Sequence, residues 1–281
     1  GILRATGAAN GWELANALLI DGDKLFLAGQ CTVESSRDFC VVRLNRNGIP
    51  DGAFNIGGRE RLHLGVKPLK DILTALAYQP DGKLVAVGYC GDSTEDQICL
   101  ARFNVDGSLD ASFNATGRIV TALGGTTRGH ALEVSGEKIT VAAECTSRTI
   151  YDYDFCVARF LADGSLDTGF GVGGLARVAI GPSHDYPTSI TLDNDRILIN
   201  GFCLSGDSFS FCAARLNADG TLDTSFNNGG TLHLPVGETG TISGRILPIN
   251  GKLYIAGLCG SATPYICLVR LNGNGAFDTT F

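Results

Sequence analysis

The chain contains no methionine, one tryptophan and four histidines among 281 residues. It carries a net charge of −7 and has no cluster of lysine or arginine. Without a basic patch there is nothing to hold a polyanion, so nucleic acid is not an expected partner. No apolar run approaches the roughly 20 residues that span a bilayer as a helix, so no membrane insertion is expected. The absence of a leader with a charged head and an apolar centre, together with the missing methionine, suggests a mature or trimmed product. Several catalytic signatures are also missing: G-x-S-x-G, H-E-x-x-H and the phosphate-binding G-x-x-x-x-G-K-[ST]. No window keeps helical periodicity for three turns, which leaves an all-β chain.

What the chain does have is a repeat. The pattern C-x2-R-x7-D-x2-F occurs five times without insertion or deletion: Cys40/Arg43/Asp51/Phe54, Cys99/Arg102/Asp110/Phe113, Cys156/Arg159/Asp167/Phe170, Cys212/Arg215/Asp223/Phe226 and Cys267/Arg270/Asp278/Phe281. Successive arginines lie 59, 57, 56 and 55 residues apart. Units of this size are too small to bury a core alone and must stack. In the second unit, Thr74–Gln79, a Pro80-Asp81-Gly82 turn, Lys83–Tyr89, Gln97–Asn104 and Arg118–Leu123 read as four strands. An Asp-Gly pair between apolar runs marks a hairpin. Four antiparallel strands per unit describe a propeller blade. The expected fold is therefore one five-bladed β-propeller domain over residues 1–281, with units at about 7–66, 67–123, 124–180, 181–236 and 237–281 plus 1–6. Gly1-Ile2-Leu3-Arg4 matches Gly230-Thr231-Leu232-His233, so the N-terminal strand is expected to complete the last blade and close the ring. A longer parent protein with further units is the rival reading.

Cysteines fall two per unit: Cys31/Cys40, Cys90/Cys99, Cys145/Cys156, Cys203/Cys212 and Cys259/Cys267. Zinc sites favour closer pairs, and no histidine follows this spacing. One disulfide per unit is expected, with buried thiols or pairing between units as rivals. It places the protein outside the cell, on its surface or in the periplasm. The arginine in each motif sits on an otherwise apolar strand and needs a partner to offset its desolvation. The aspartate eight residues later is that partner, giving expected ion pairs Arg43–Asp51, Arg102–Asp110, Arg159–Asp167, Arg215–Asp223 and Arg270–Asp278, bidentate where geometry permits.

The stretch Asp81-Gly82-Lys83-Leu84 with Gly88, then Ala101-Arg102-Phe103-Asn104, Asp106-Gly107-Ser108-Leu109-Asp110 and Phe113, resembles the delta-60 repeat of bacterial surface and secreted proteins. The resemblance covers all five units. It implies a propeller-like extracellular protein and supplies no catalytic residues. The paired cysteines depart from the general pattern, as does Ser135-Gly136 where the third unit lacks the first Asp-Gly.

The Asn104-x-Asp106-Gly107 stretch is similar to the start of a calcium loop, but no later acid completes it, and turn chemistry accounts for the residues. No metal site, cofactor or catalytic residue is assigned. Variable loops on a rigid scaffold are where binding resides. They offer Trp12, Glu13, His130, Tyr151, Tyr153, His184, Asp185 and Tyr186 as ligand-binding candidates, aromatic rings beside carboxylates that suit sugars. His63 and His233 read as matching, solvated edge positions. The leading expectation is a secreted or cell-surface, non-catalytic binding or scaffold module recognising a glycan or protein partner. One alternative is a structural subunit of an extracellular matrix, filament or appendage. The other is a glycoside hydrolase-like enzyme with carboxylates near the channel, for which Glu13, Asp71 and Asp185 are at hand but not at one equivalent depth.

Overall fold

The computed structural model describes residues 13–33, 36–64, 70–91, 95–147, 150–206, 208–235, 242–260 and 263–281. Among them the regular structure is entirely strand. The first repeat supplies β1 (Glu13–Asp21), β2 (Lys24–Val33), β3 (Ser36–Asn45) and β4 (Arg59–Leu62). The second supplies β5 (Lys70–Tyr78), β6 (Leu84–Gly91), β7 (Asp96–Phe103) and β8 (Arg118–Thr121). The third has β9 (Thr127–Ser135), β10 (Lys138–Ser147), β11 (Ile150–Phe160) and β12 (Leu175–Val178), and the fourth β13 (Asp185–Asp193), β14 (Arg196–Ser205), β15 (Ser208–Leu216) and β16 (Thr231–Leu234). The fifth has β17 (Ile242–Ile249), β18 (Lys252–Cys259) and β19 (Tyr265–Asn272). Each repeat forms its own sheet in sequence order, four with four strands and the fifth with three. The ring-closing strand at Gly1–Arg4 lies outside the described residues. The chain divides into two compact units: residues 1–129 with 134–139 and 161–165, and residues 130–133 and 140–160 with 166–281.

Within each unit the core lies between successive sheets. In the first unit Phe26, Phe39 and Val41 pack with Leu73, Leu84, Ala86 and Phe103. In the second, Phe155 and Val157 meet Ile190, Ile197 and Ile199. A sheet buried on both faces needs apolar residues on both, which is why β7 is buried from Ile98 to Phe103 without alternation. Five disulfides join the second and third strands: Cys31–Cys40, Cys90–Cys99, Cys145–Cys156, Cys203–Cys212 and Cys259–Cys267, with Cα separations of 5.8–5.9 Å.

The repeated Arg, Asp and Phe make one node. In the second repeat, Arg102 Nε donates to Asp110 Oδ2 at 2.7 Å, and the guanidinium carbon lies 4.5 Å from the Phe113 ring centre. Arg102 Nη1 donates to the Ala162 carbonyl, in the Asp-Gly turn of the next repeat. The pair is held through Nε alone, so the bidentate geometry expected from the sequence is replaced by a bridge between repeats. Arg43, Arg159 and Arg215 likewise reach Val105, Ala218 and Gly273. Arg270 keeps its aspartate, Asp278, and its ring, Phe281. The glycine of the next turn packs on the same phenylalanine: a Cβ at Gly107, whose φ is +86°, would lie 3.0 Å from the Phe54 ring. A side chain there meets both the wrong backbone region and the ring.

The first strands carry a second link that their sequences do not reveal. Strands β1, β5, β13 and β17 each step register once, at Asn16, Thr74, Thr188 and Gly244. The bulge residue then bonds onward: Asn16 Nδ2 to the Leu73 carbonyl at 2.7 Å, Thr74 Oγ1 to Gly129 at 2.9 Å and Thr188 Oγ1 to Gly244 at 2.9 Å.

Burial pushes the Asp110 carboxyl up, but bonds from Ser112 and Lys83 and the charge of Arg102 outweigh it and hold the group well below the usual carboxylate range. A lowered folded-state pKa gives stability that is present above the unfolded value near 4 and lost as pH falls below it. Urea titrations at pH 7 should show Arg102→Leu or Asp110→Ala each losing about 3–5 kcal/mol, and the double variant losing less than the sum. Removing one bridge, as Cys90→Ala with Cys99→Ala, should cost about 2.5–3 kcal/mol by loop-closure entropy, read in the same titration.

Candidate functional site

The second unit brings together four of the sequence candidates. Tyr153 lies on β11, inside a strand where a loop was expected. Asp185 opens β13, with His184 before it and Tyr186 after it. The Tyr153 and His184 ring centres are 5.3 Å apart, Tyr153 and Tyr186 5.7 Å, and His184 and Tyr186 6.0 Å. The row continues through Phe202, stacked on Tyr186 at 5.0 Å, to Phe209 at 5.5 Å. Tyr153, Tyr186, Phe202 and Phe209 are all half-buried, so their remaining faces meet solvent. Aromatic faces of this kind are the usual platform for an amphipathic ring.

Carboxylates lie beside the row. His184 Nδ1 is 3.2 Å from both the Tyr153 amide nitrogen and Asp152 Oδ1, and Asp152 is about one-third exposed. Asp185 is wholly buried and accepts the Ile180 amide at 2.7 Å and the Gly181 amide at 3.1 Å. Burial pushes its carboxyl up to about 6, against those two amide bonds, and the charges of Asp154 and Asp152 add to the rise. Asp154, also buried, is held by Arg177 Nε on the neighbouring strand β12. A carboxyl that keeps its proton up to about pH 6, next to one that is partly exposed, is the pairing that acid–base chemistry needs.

The remaining candidates are placed elsewhere. Trp12 lies outside the described residues, as does the Tyr151 side chain. Glu13 is exposed at the head of β1. His130 Nε2 stands 3.2 Å from the buried carboxylate of Glu144, which gives it a partner inside the protein. The register corrects one expectation about the acids. Glu13, Asp71 and Asp185 pair with Cys31, Cys90 and Cys203, so they do occupy one equivalent position. It also corrects His63. Arg61, Arg177 and His233 are the matching residues, opposite Cys40, Cys156 and Cys212, and His63 lies two places further on. Phe202 was not singled out from sequence. The aromatic that precedes the first half-cystine, Tyr89 in the second repeat and Phe202 in the fourth, was the available signal.

Two further features supply no site of their own. Asp185, Cys203 and Cys212 converge, but both sulfurs are bonded to each other and neither offers a thiolate. A cavity of about 530 Å³ in the first unit is walled by Gln79, Asp81, Lys83, Arg102, Glu137 and Asp163, with no aromatic ring in its lining. The Asp-Gly turns spend their carboxylates locally: Asp106 Oδ1 accepts the Ser108 amide at 2.9 Å and its hydroxyl at 2.6 Å.

The family model described as "Domain of unknown function (DUF5122) beta-propeller" matches residues 23–63, 79–113, 138–170, 195–226 and 250–281, more than half of the chain. The chain belongs to this family. The match establishes the propeller repeat family and does not extend to the delta-60 name. No curated protein matches the sequence. Among solved structures, an endo-arabinase from Bacteroides thetaiotaomicron is 11% identical with a TM-score of 0.49, covering 92% of this chain and 93% of its own. A GH43 endo-arabinanase from Bacillus licheniformis is 14% identical at 0.45, covering 92% and 94%. The extracellular domains of Drosophila semaphorin 1b are 12% identical at 0.44, covering 91% of this chain and 51% of theirs. The expectation of a non-catalytic binding or scaffold module gives way here to its hydrolase alternative, on the chemistry of the carboxyl groups described above. Likeness at these identities carries no chemistry, which rests on the side chains above.

For Asp185, a folded-state pKa above the unfolded value gives stability that is full below about pH 4 and lost as pH rises through about 6. Wild-type unfolding free energy should therefore fall by about 3 kcal/mol across that window, and Asp185→Asn should flatten the profile. Urea titrations at half-unit pH steps measure it.

Proposed function

We propose that this DUF5122 propeller is a glycoside hydrolase-like enzyme whose substrate lies along the aromatic row of the second unit. The observation that carries the reading is the buried Asp185 carboxyl, pushed up to about 6 by burial and by the charges of Asp154 and Asp152, with the one-third-exposed Asp152 against His184 of the aromatic row. A sugar ring stacks on the tyrosines with its hydroxyls toward Asp152 and His184. Asp185 delivers a proton to the glycosidic oxygen as the bond to the anomeric carbon breaks. Asp152 acts on the opposite step, taking a proton from the attacking water or bonding to the anomeric carbon itself. The role of Asp185 requires its protonated form, so turnover falls as pH rises beyond about 6.

The wider reading is a secreted, surface or periplasmic bacterial protein, supported by five disulfides in one chain. Assignment to the delta-60 repeats rests on the Asp-Gly-x-Leu-Asp core. Closure of the ring by residues 1–6, within a single domain, is supported by the fifth sheet: it has three strands and leaves Leu258, Ile266 and Leu268 exposed.

Release of reducing sugar from a panel of plant and bacterial polysaccharides and aryl glycosides tests the enzyme. Wild-type protein should hydrolyse at least one of them, and Asp185→Asn or Asp152→Asn should lose about 10²–10⁴-fold with folding intact by near-UV circular dichroism. Hydrolysis unchanged in Asp185→Asn, or a wild-type protein inert to the whole panel, overturns the reading.

A further inference from the structure

In the first unit, three electron-rich atoms meet at the junction of the first and second sheets. His63 Nδ1 lies 3.2 Å from Asp38 Oδ1 and 3.0 Å from Asp71 Oδ2. Asp38 opens the buried stretch of β3, His63 follows β4, and Asp71 sits on β5, so three separate stretches of chain converge. Asp38 is 2% exposed and Asp71 wholly buried, whereas the His63 side chain is 40% exposed. Two buried carboxylates and an imidazole nitrogen repel one another unless a cation lies among them. One proton on Nδ1 serves two oxygens poorly, since it points at one of them at a time.

We propose that Asp38, His63 and Asp71 form a site for a divalent transition-metal ion, with zinc the best fit. The donor set is one imidazole nitrogen and two carboxylate oxygens. Ligand atoms around tetrahedral zinc, at bonds of about 2.0–2.1 Å, lie ~3.3 Å from each other. The two nitrogen–oxygen separations match that spacing, and all three atoms fall within 4.8 Å of one another. Calcium and magnesium prefer all-oxygen shells of six or more ligands, so the imidazole selects against them. The exposed side of His63 leaves room for water as a fourth ligand.

The outer contacts orient the donors as metal sites require. Arg61 Nε holds the other oxygen of Asp38, Ser36 Oγ donates to Asp38 Oδ1 at 2.8 Å, and the Leu64 amide donates to Asp71 Oδ2 at 2.7 Å. The third and fourth repeats provide an internal comparison. There Asp154, Arg177 and Asp185 repeat Asp38, Arg61 and Asp71, with the Ile180 amide on Asp185 in place of Leu64 on Asp71. At the place of His63 stands Ala179, and Ala122 occupies it in the second repeat. The nitrogen is thus supplied to one junction only, and alanine is a side chain this position already accepts elsewhere. A bound ion would clamp β3 and the end of β4 to the start of β5 in the next sheet.

Calorimetric titration of the chelator-treated, disulfide-intact protein with zinc chloride alone tests the site. Wild-type protein should take up zinc with an equivalent that His63→Ala removes and that a tenfold excess of calcium or magnesium does not displace. Asp38→Asn should weaken that equivalent by more than the ~10-fold that losing an outer contact costs. His233→Ala, on the matching strand of the fourth repeat, should keep the full titre, and a zinc-dependent rise in melting temperature should vanish in His63→Ala alone. No zinc uptake by wild-type protein, or a titre and melting response identical in His63→Ala, overturns the proposal and leaves a proton as the cation between the two carboxylates.

Discussion

The arginine of each of the first four repeats satisfies three demands at once. Its Nε neutralises a buried aspartate of the same repeat, its flat face covers a phenylalanine, and its Nη1 caps a carbonyl in the turn that follows one repeat later. Lysine could supply the charge but neither the plane nor the fork. Because the third contact reaches forward, the node also sets how successive sheets of a unit meet. The phenylalanine then receives the glycine of that same turn, and a backbone bond seals it: the Asn114 amide donates to the Asp163 carbonyl at 2.7 Å. A buried ion pair seldom stabilises as much as an apolar substitute would. Its value here is geometric, since each node accepts a single register between one sheet and the next.

Sheets fixed in this way can carry strained chemistry at their other ends. Three of the first strands, β1, β5 and β13, begin with carboxylates opposite the first half-cystine, and the disulfide beside them stiffens that end. Asp185 can remain buried, charged only above about pH 6, because the surrounding strands do not yield to hydrate it. Asp71, at the equivalent place, meets a different solution: His63 and the Leu64 amide stand against it. One scaffold position therefore meets histidine in one repeat and alanine in another.

The fold was legible because repetition averages out noise. A spacing of eight from Arg to Asp, held five times, points to a contact, and Asp-Gly between apolar runs points to a turn. The forward reach of Arg102 Nη1 to Ala162 was not legible, since carbonyl acceptors leave no mark in sequence. The bulges at Asn16, Thr74 and Thr188 were hidden for the same reason. The equivalences of the acids and of His63 were countable without them: Glu13, Asp71 and Asp185 each stand three residues before Asn16, Thr74 and Thr188, and His63 follows Cys40 at the distance at which Ala179 follows Cys156. At the candidate site, Tyr153, His184, Asp185 and Tyr186 were found from their residue types alone. Phe202 was passed over because it lies within a strand that reads as core, and strand residues near a sheet end serve both core and surface.

Native-state hydrogen exchange at the Asn114 amide, compared between wild-type and Arg102→Lys protein, tests the node most directly. The forward reach of the guanidinium should be lost while the positive charge stays. Protection at Asn114 should then drop toward that of an open turn, while the Ala101 amide in the β6–β7 ladder keeps its protection. Equal protection at Asn114 in the two proteins would show that charge alone holds successive repeats together and would contradict this account.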